Sequence, residues 1–223
     1  MSFFYQLVCV LFPEHCPYCG CIIDPEQIAC EKCRQKLDKR QKPIIRGASG
    51  FRCVSSFVYD GSVRRMILRI KYHERVQYLP QVAQILAKDI RTTYPDCRFD
   101  CLTSVPMHKK DLFKRVFNQA ELLAKELSKL LDIPYEETLV KVKRTKKQHT
   151  LNYAKRKNNL NGAFNIIDKE RITGKNILII DDIITSGITL GTCCKVLNRA
   201  KPRLLCCATI ANANARLPRS AII

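Results

Sequence analysis

Acidic residues are scarce in this sequence. Its 223 residues contain 20 Asp and Glu against 39 Lys and Arg, which leaves a formal charge of +19 at pH 7. A surplus of this size says little about the fold, but it predicts polyanionic partners: nucleic acid, phosphorylated substrates or acidic membrane surfaces. The alternative interpretation is a soluble enzyme with a basic surface.

Long hydrophobic runs are also missing, so the sequence predicts no membrane span. The most apolar stretch, "FFYQLVCVLF" at residues 3–12, is too short to cross a bilayer. No Lys or Arg precedes it, as one would in a signal peptide. Because Pro13 and a cysteine cluster follow directly, we interpret this stretch as a short apolar helix that packs on the protein.

Cysteine, in contrast, is abundant, with 13 residues, an odd number. Several cysteines lie inside apolar runs, where free thiols pack as small hydrophobic groups: Cys101, Cys193, Cys194, Cys206 and Cys207. A disulfide framework is typical of small secreted domains, whereas reduced thiols indicate the cytoplasm. The sequence therefore predicts a cytoplasmic protein.

Four cysteines near the N-terminus have the spacing of a metal site. "CPYCGCIIDPEQIACEKC" places Cys16 and Cys19, then Cys30 and Cys33, in a C-x2-C-x10-C-x2-C pattern. Two such turns can aim four thiolates at one ion, so we predict a structural Zn²⁺ with a complete ligand set. A redox CxxC motif is the weaker alternative. Cys21 is interpreted as a bystander that could compete for the metal in a variant.

The rest of the chain reads as an α/β domain. Residues 34–50 are expected to be a helix end and a linker, so we place the domains at residues 1–46 and 47–223. In the second domain, strand-like runs alternate with helical stretches, including an amphipathic helix within residues 111–131. This alternation predicts a mostly parallel sheet.

One stretch carries the strongest indication of a ligand site. In "ILIIDDIITSGIT", residues 177–189, an apolar strand runs into Asp181 and Asp182, and a loop with Gly187 opens the next helix. Ligands of open α/β sheets bind beyond the carboxyl ends of the strands, and a helix N-terminus favours phosphate. Two carboxylates beside a phosphate loop suit a sugar phosphate. The sequence has neither a Walker loop nor a GxGxxG fingerprint. A response-regulator-like or other acidic Rossmann-like pocket is the alternative.

This stretch resembles the 5-phosphoribosyl 1-pyrophosphate motif of type I phosphoribosyltransferases. "SVPMHKKDLFKRVFNQAELLA" and "TKKQHTLNYAKRKNNLNGAF" are similar to the two signature blocks of the ComF family of competence-associated, phosphoribosyltransferase-like proteins. The cysteine module is also a feature of this family, so the resemblance covers nearly the whole chain. Two features depart from the family. Val116 stands where relatives usually carry glycine, and many relatives have additional N-terminal cysteines.

The resemblance implies a type I phosphoribosyltransferase fold in residues 47–223 that binds 5-phosphoribosyl 1-pyrophosphate with Mg²⁺. Asp181 and Asp182 are then the catalytic candidates and hold the ribose hydroxyls. The other implied ligand contacts are Ile183, Thr185, Ser186, Gly187, Ile188 and Thr189 in the motif, and His108, Lys109, Lys110 and Lys71 outside it. For Lys71, a solvated helix lysine is at least as good an interpretation.

Residues 141–159 resemble the mobile hood of such enzymes, which closes over the pyrophosphate. The candidates in this segment for contacts to the ligand or to DNA are Lys143, Arg144, Lys146, Lys147, Gln148 and Arg156. An ordinary basic surface loop is the alternative.

The family association implies the handling of single-stranded DNA during natural transformation, with other competence proteins, such as a DNA-translocating helicase, as partners. A second basic stripe, at Arg64, Arg65, Arg69, Lys71 and Arg75, also suits a DNA backbone, and Tyr72, Tyr78 and Tyr153 are candidates to stack on bases. Partial burial is the alternative for these tyrosines. The sequence does not separate this role from an active phosphoribosyltransferase of nucleotide metabolism or from a sugar-phosphate sensor without turnover.

Overall fold

The computed structural model describes residues 13–24, 27, 29–38, 43–48, 50–72, 76–145 and 159–215, and the helix predicted over residues 3–12 lies outside them. Within these ranges, no helix combines the length and the apolar composition needed to cross a membrane. The elements follow in the order β1 (Glu14–His15), β2 (Ile22–Ile23), α1 (Glu31–Asp38), β3 (Ile44–Ala48), β4 (Phe51–Val58), α2 (Gly61–Tyr72), α3 (Leu79–Thr93), β5 (Cys101–Ser104), α4 (Lys109–Arg115), α5 (Gln119–Leu131), β6 (Leu139–Lys141), β7 (Phe164–Ile166), β8 (Asn176–Ile184), α6 (Ile188–Asn198) and β9 (Leu204–Asn212).

The central sheet of the described residues has the strand order β3-β4-β9-β8-β5. Strands β4, β9, β8 and β5 run parallel, and β3 joins the edge antiparallel to β4. Residues 177–180 of the inner strand β8 are buried, because helices cover both faces of the sheet. The α/β fold with a mostly parallel sheet, predicted from the alternation of strands and helices, is therefore confirmed.

Each face of the sheet has its own hydrophobic core. On one face, Met66 of α2, Leu86 of α3 and Leu123 of α5 belong to the same buried cluster. On the other face, Leu197 of α6 packs in a cluster with Phe164 of β7, which pairs antiparallel with β6. The carboxyl ends of the parallel strands lie between these two layers of helices. The candidate site is located at this edge of the sheet.

The N-terminal cysteine module packs directly on helix α2. The Arg65 side chain donates from Nε to the carbonyl oxygen of Tyr18 at 3.1 Å. One turn further on, Arg69 donates from Nη1 to the carbonyl oxygens of Cys16 and Pro17 at 2.8 and 2.9 Å. Buried residues of the module belong to the same core cluster as α2 and α3. These two arginines, which were candidates for DNA contacts, therefore hold the module on the sheet domain.

The linker predicted over residues 34–50 is only partly correct, because it contains a strand. β3 pairs with β4 from Ile44 opposite Ser55 to Ala48 opposite Phe51. Gly50 has φ +93°, a left-handed conformation that permits a tight reversal between the two strands. The proposed domain boundary after residue 46 falls inside β3. A segment this short shows no clear strand periodicity, and its pairing partner decides its structure.

The helix predicted within residues 111–131 is two helices, α4 and α5, separated at Val116. This valine has φ 68° and ψ −35°, a conformation that a β-branched residue rarely adopts. Asn118 then begins α5, since its side chain accepts a hydrogen bond from the N–H of Ala120 at 3.2 Å and donates one to the carbonyl oxygen of Val105 at 3.0 Å. Apolar spacing continues across the break, so periodicity alone predicted one helix.

Candidate functional site

The two adjacent aspartates lie near the carboxyl end of β8 and face opposite sides of the sheet, as successive strand residues do. Asp182 faces α2, where its Oδ2 lies 2.5 Å from the Nζ of Lys71. Asp181 faces the side of α6 and β6, because its charge influences Cys193 and Lys141 there. The strand continues to Ile184, so both carboxylates belong to the strand and not to the loop after it.

Lys71 lies in the last turn of α2, and its ammonium group is inside the site. The side chains of Lys71 and Asp182 are only 18% and 15% exposed. Burial alone lowers the pKa of Lys71, but the charge of Asp182 and the hydrogen bond to it raise that pKa above the ordinary value. Lys71 therefore keeps its positive charge at neutral pH, next to a carboxylate. Lys71 is therefore not a solvated helix lysine, which was the alternative interpretation of its place in the sequence.

For Asp181, in contrast to Lys71, the shift in pKa favours the neutral form. Burial, and then the negative charge of Asp182, raise the pKa of Asp181 to about 8. The N–H of Asp182, which donates to Asp181 Oδ1 at 2.9 Å, and the cations Lys71 and Lys141 offset only part of that rise. The pKa of Asp181 therefore lies well above that of an ordinary carboxyl, whereas Asp182 is held in an ion pair with Lys71.

The loop after β8 forms the N-terminus of α6. Gly187 caps the helix with φ 75° and ψ 2°, a left-handed conformation that suits glycine. The Ser186 hydroxyl lies 3.5 Å from the N–H of Ile188, and the carbonyl oxygen of Thr185 accepts a hydrogen bond from the Asn214 side chain. The loop thus presents backbone N–H groups at a helix N-terminus, the usual arrangement for binding an anion.

Two of the predicted contacts in the motif have apolar side chains that pack inward. Ile188 is buried in one core, and Ile183 is half-buried against the other. Only their backbone groups are placed to meet a ligand. Thr189, the last predicted contact of the motif, is half-buried in the first turn of α6.

The loop after β5 lies beside β8 at the same edge of the sheet. Val105 donates its N–H to the carbonyl oxygen of Ile180 at 2.9 Å, one residue before the aspartates. His108 then caps α4, since its Nδ1 accepts a hydrogen bond from the N–H of Lys110 at 3.2 Å. Lys109 and Lys110 are exposed. His108 therefore ends this loop, and Lys109 and Lys110 form the first turn of α4, at the same edge of the sheet as the two aspartates.

Two cations of the site were missed by the sequence analysis. Arg115 lies over the ring of Tyr72, with Cζ 5.4 Å from the ring centroid, and its charge acts on Lys71. Lys141 of β6 is half-buried, and burial lowers its pKa, although Asp111, Cys193 and Asp181 offset part of that effect. In the sequence, Arg115 is marked only by its position directly before Val116, where relatives usually carry glycine. Lys141 had been treated as one of many hood cations.

Only the first part of the hood segment is described. Lys143 and Arg144 are exposed, and Arg144 Nε lies 3.4 Å from Asp111 Oδ1 in α4. The other hood candidates, Lys146, Lys147, Gln148 and Arg156, lie outside the described residues, as do Arg75 and Tyr153.

Two of the three tyrosines proposed to stack on bases, Tyr72 and Tyr78, lie within the described residues, and their surroundings differ. Tyr72 is 59% exposed and lies under the Arg115 guanidinium, so its ring is open on part of its surface. Tyr78 is buried, and its hydroxyl donates to the carbonyl oxygen of His15 at 2.9 Å. The prediction of a stacking role for Tyr78 is therefore wrong, because its ring packs between α3 and the cysteine module.

The four cysteines of the N-terminal motif meet at one point. Their Sγ atoms all lie within 4.8 Å of one another: Cys16, Cys19, Cys30 and Cys33. Tetrahedral Zn²⁺ with Zn–S bonds of ~2.3 Å requires sulfur–sulfur separations of about 3.8 Å, and the distance between the Sγ atoms of Cys19 and Cys30 is 3.6 Å. The donor set therefore fits a metal ion and is consistent with structural zinc.

The backbone also supports this metal site. A hydrogen bond from the N–H of Cys21 is the largest of the effects that lower the pKa of Cys19 to about 6. A thiol with such a pKa is readily deprotonated, which is the state in which cysteine binds a metal.

Comparison with known proteins agrees with this fold. The phosphoribosyl transferase domain family matches residues 116–222, which include β8, both aspartates and the loop that begins α6. Together with the mostly parallel sheet and the cysteine cluster, this match defines a protein of the type I phosphoribosyltransferase fold with a small N-terminal four-cysteine module.

Relatives that align over most of the chain are named for competence and DNA utilization. The chain is 28% identical to Competence protein F of Haemophilus influenzae over 193 residues, which cover 84% of this chain and 80% of that protein. It is 28% identical to the DNA utilization protein YhgH of Escherichia coli K12, with coverage of 82% and 78%. Identity to Competence protein ComFC of Bacillus subtilis is 25%, with coverage of 78% and 68%. The resemblance to the ComF family is thereby confirmed.

Proposed function

We propose that this protein binds 5-phosphoribosyl 1-pyrophosphate with Mg²⁺ and acts in the handling of single-stranded DNA during natural competence. The observation that carries the first part is the half-buried pair of Lys71 and Asp182, at 2.5 Å, beside the helix N-terminal loop capped by Gly187. A sugar phosphate needs anion donors, a cation and hydroxyl acceptors together, and these groups supply all three.

Each part of the ligand has a complementary group on the chain. The loop over residues 185–189 offers backbone N–H groups to the 5′-phosphate, and the carboxylates of Asp181 and Asp182 accept hydrogen bonds from ribose hydroxyls. Lys71 and Arg115 supply positive charge to the pyrophosphate. When bound, Mg²⁺ would neutralise further charge on the pyrophosphate oxygens, with Asp181 and Asp182 as the nearest acidic candidates to hold it.

The DNA role rests on the names of the relatives and on the surface charge. A protein named for competence and one named for DNA utilization align with 84% and 82% of the chain. The formal charge of +19 favours a polyanion. Near the site, Tyr72 is exposed beneath Arg115, and the neighbouring Phe113 is almost fully exposed. Exposed aromatic rings beside cations are typical of surfaces that bind single-stranded nucleic acid.

Calorimetric titration with 5-phosphoribosyl 1-pyrophosphate and Mg²⁺ tests the ligand, with ribose 5-phosphate and pyrophosphate as partial ligands. We expect binding that weakens at least tenfold in Asp182→Asn, while Glu126→Gln, whose carboxylate pairs with Lys129 in the second half of α5, leaves it unchanged. Unaltered affinity in Asp182→Asn would reject the pocket. Titration with a single-stranded oligonucleotide at two salt concentrations tests the second part, and absence of salt-sensitive binding would reject it.

An active phosphoribosyltransferase of nucleotide metabolism is the second candidate. The observation that favours it is the proximity of two cations, since the charge of Arg115 acts on Lys71. Positive charge at this position would stabilise a departing pyrophosphate. Incubation with the sugar phosphate, Mg²⁺ and a panel of free bases tests it by release of pyrophosphate. Release that depends on a base supports an enzyme, and its absence at saturating ligand leaves the binding role alone.

A further inference from the structure

We propose that Cys21 is a fifth thiol of the metal site and replaces Cys19 as a ligand when Cys19 is lost or blocked. The inference concerns the cysteine module alone and does not depend on the sugar phosphate. In the sequence, Cys21 lies outside the C-x2-C spacing, and nothing in that spacing assigns it a function.

The distances between the sulfur atoms support this exchange. Cys21 Sγ lies 3.4 Å from Cys19 Sγ, and Cys19 Sγ lies 3.6 Å from Cys30 Sγ. Two thiolates bound to one tetrahedral zinc are about 3.8 Å apart. Cys21 is therefore as near to Cys19 as one ligand of a zinc ion is to another. The group of four thiols that lie within 4.8 Å of one another does not include Cys21, so the proposed exchange moves its sulfur into the position of Cys19 and adds no fifth bond.

The five cysteines of the module also differ in their burial. Cys16 and Cys33 are buried, Cys30 is half-buried, and Cys19 and Cys21 are both exposed. The buried thiols of Cys16 and Cys33 belong to the hydrophobic core. The exposed corner of the site therefore has two thiols for one coordination position, and exchange there requires no opening of the core.

The backbone turn that carries Cys19 and Cys21 is closed by its own hydrogen bonds, whichever of the two thiols binds the metal. The N–H of Cys16 donates to the carbonyl oxygen of Cys21 at 2.8 Å, and the N–H of Gly20 donates to that of Cys16 at 2.9 Å. These bonds keep Cys19 and Cys21 on the same short turn. A side-chain rotation of Cys21, without a backbone rearrangement, is then enough to bring its sulfur to the vacated position.

Zinc content of the full chain tests the proposal, with the variants Cys19→Ser, Cys21→Ser, Cys19→Ser/Cys21→Ser and Cys16→Ser purified in parallel. We expect one zinc per chain in the wild type and in both single variants at positions 19 and 21. The double variant and Cys16→Ser should lose the metal. Zinc loss in Cys19→Ser as complete as in the double variant would overturn the proposal.

Cobalt substitution provides a second measurement that does not depend on yield or on zinc affinity. Tetrahedral Co²⁺ has an absorption spectrum that distinguishes four thiolates from three thiolates and one oxygen. We expect Cys19→Ser to keep the four-thiolate spectrum, and the double variant, if it binds Co²⁺ at all, to show the three-thiolate spectrum. A three-thiolate spectrum in Cys19→Ser would show that Cys21 does not reach the metal and would refute the exchange.

Discussion

Replacing Asp181 with asparagine should stabilise the ligand-free protein at neutral and alkaline pH, although it removes a group proposed to bind the ligand. Asparagine keeps the shape of the side chain and an oxygen to accept the 2.9 Å hydrogen bond from the N–H of Asp182. It removes the need to bury a second negative charge beside that of Asp182, which together with burial raises the pKa of Asp181.

The magnitude follows from the pKa of Asp181, which lies at about 8 in the folded protein against an ordinary value of 3.8. At about 1.4 kcal/mol per pKa unit, the difference corresponds to at most ~4 kcal/mol at pH 7. A carboxyl whose pKa is raised on folding contributes stability that is fully present below its unfolded pKa and is lost as the pH rises to the folded pKa. Asp181→Asn should therefore nearly match the wild type near pH 4 and exceed it by at most ~5 kcal/mol at pH 8.

Urea unfolding of the two zinc-loaded proteins at intervals between pH 4 and pH 9 measures this difference. The matched control is Asp182→Asn, which leaves the Lys71 ammonium without its 2.5 Å partner and should destabilise the protein at pH 7. A stability difference between Asp181→Asn and the wild type that does not change with pH would refute the reasoning. So would a loss of stability in Asp181→Asn at pH 8.

Three further substitutions test other parts of the structure. Val116→Gly should raise the free energy of unfolding by about 1 kcal/mol in urea, because it relieves the φ of 68° and the valine is 73% exposed. Gly20→Ala should lower the temperature of zinc loss in a thermal ramp. Its Cβ would lie 2.6 Å from Arg69 Nη2 at φ +88°, at a cost of about 1–2 kcal/mol. Lys71→Met should destabilise the protein by about 1–3 kcal/mol in urea, since it leaves the Asp182 carboxylate half-buried and unpaired.

Each of these has a result that would contradict it. A destabilised Val116→Gly protein would mean that the positive φ is not a source of strain. Unchanged zinc retention in Gly20→Ala would mean that the contact between the module and α2 does not support the metal site. For Lys71, the control is the double variant with Asp182→Asn. If the double variant loses as much stability as the two single variants together, the two side chains are not coupled.

The sequence predicted the elements whose signals are local. The apolar run of β8, the two aspartates and the glycine that begins α6 lie within one short stretch, and the structure has each of them in the expected place. The spacing of the four cysteines predicted a metal cluster for the same reason, because each pair belongs to one tight turn.

Predictions from the sequence were wrong or incomplete where residues far away in the chain determine the local structure. Residues 44–48 become a strand because β4 is there to pair with them. Tyr78 is buried because the cysteine module covers it. Arg65 and Arg69 resembled a DNA-binding stripe, since a row of cations on a helix looks the same whether it faces solvent or the carbonyl oxygens of another segment.

The sequence by itself therefore determined the α/β alternation, the acidic strand end with its phosphate-type loop, and the four-thiolate cluster, because each depends on residues that are neighbours in the chain. Only the tertiary structure decided that Lys71 pairs with Asp182, that burial raises the pKa of Asp181, and that Cys21 lies beside Cys19. Charge state and pairing depend on burial and on distances through space. Those quantities arise only when the helices close on the sheet and the turns of the cysteine module fold back on themselves.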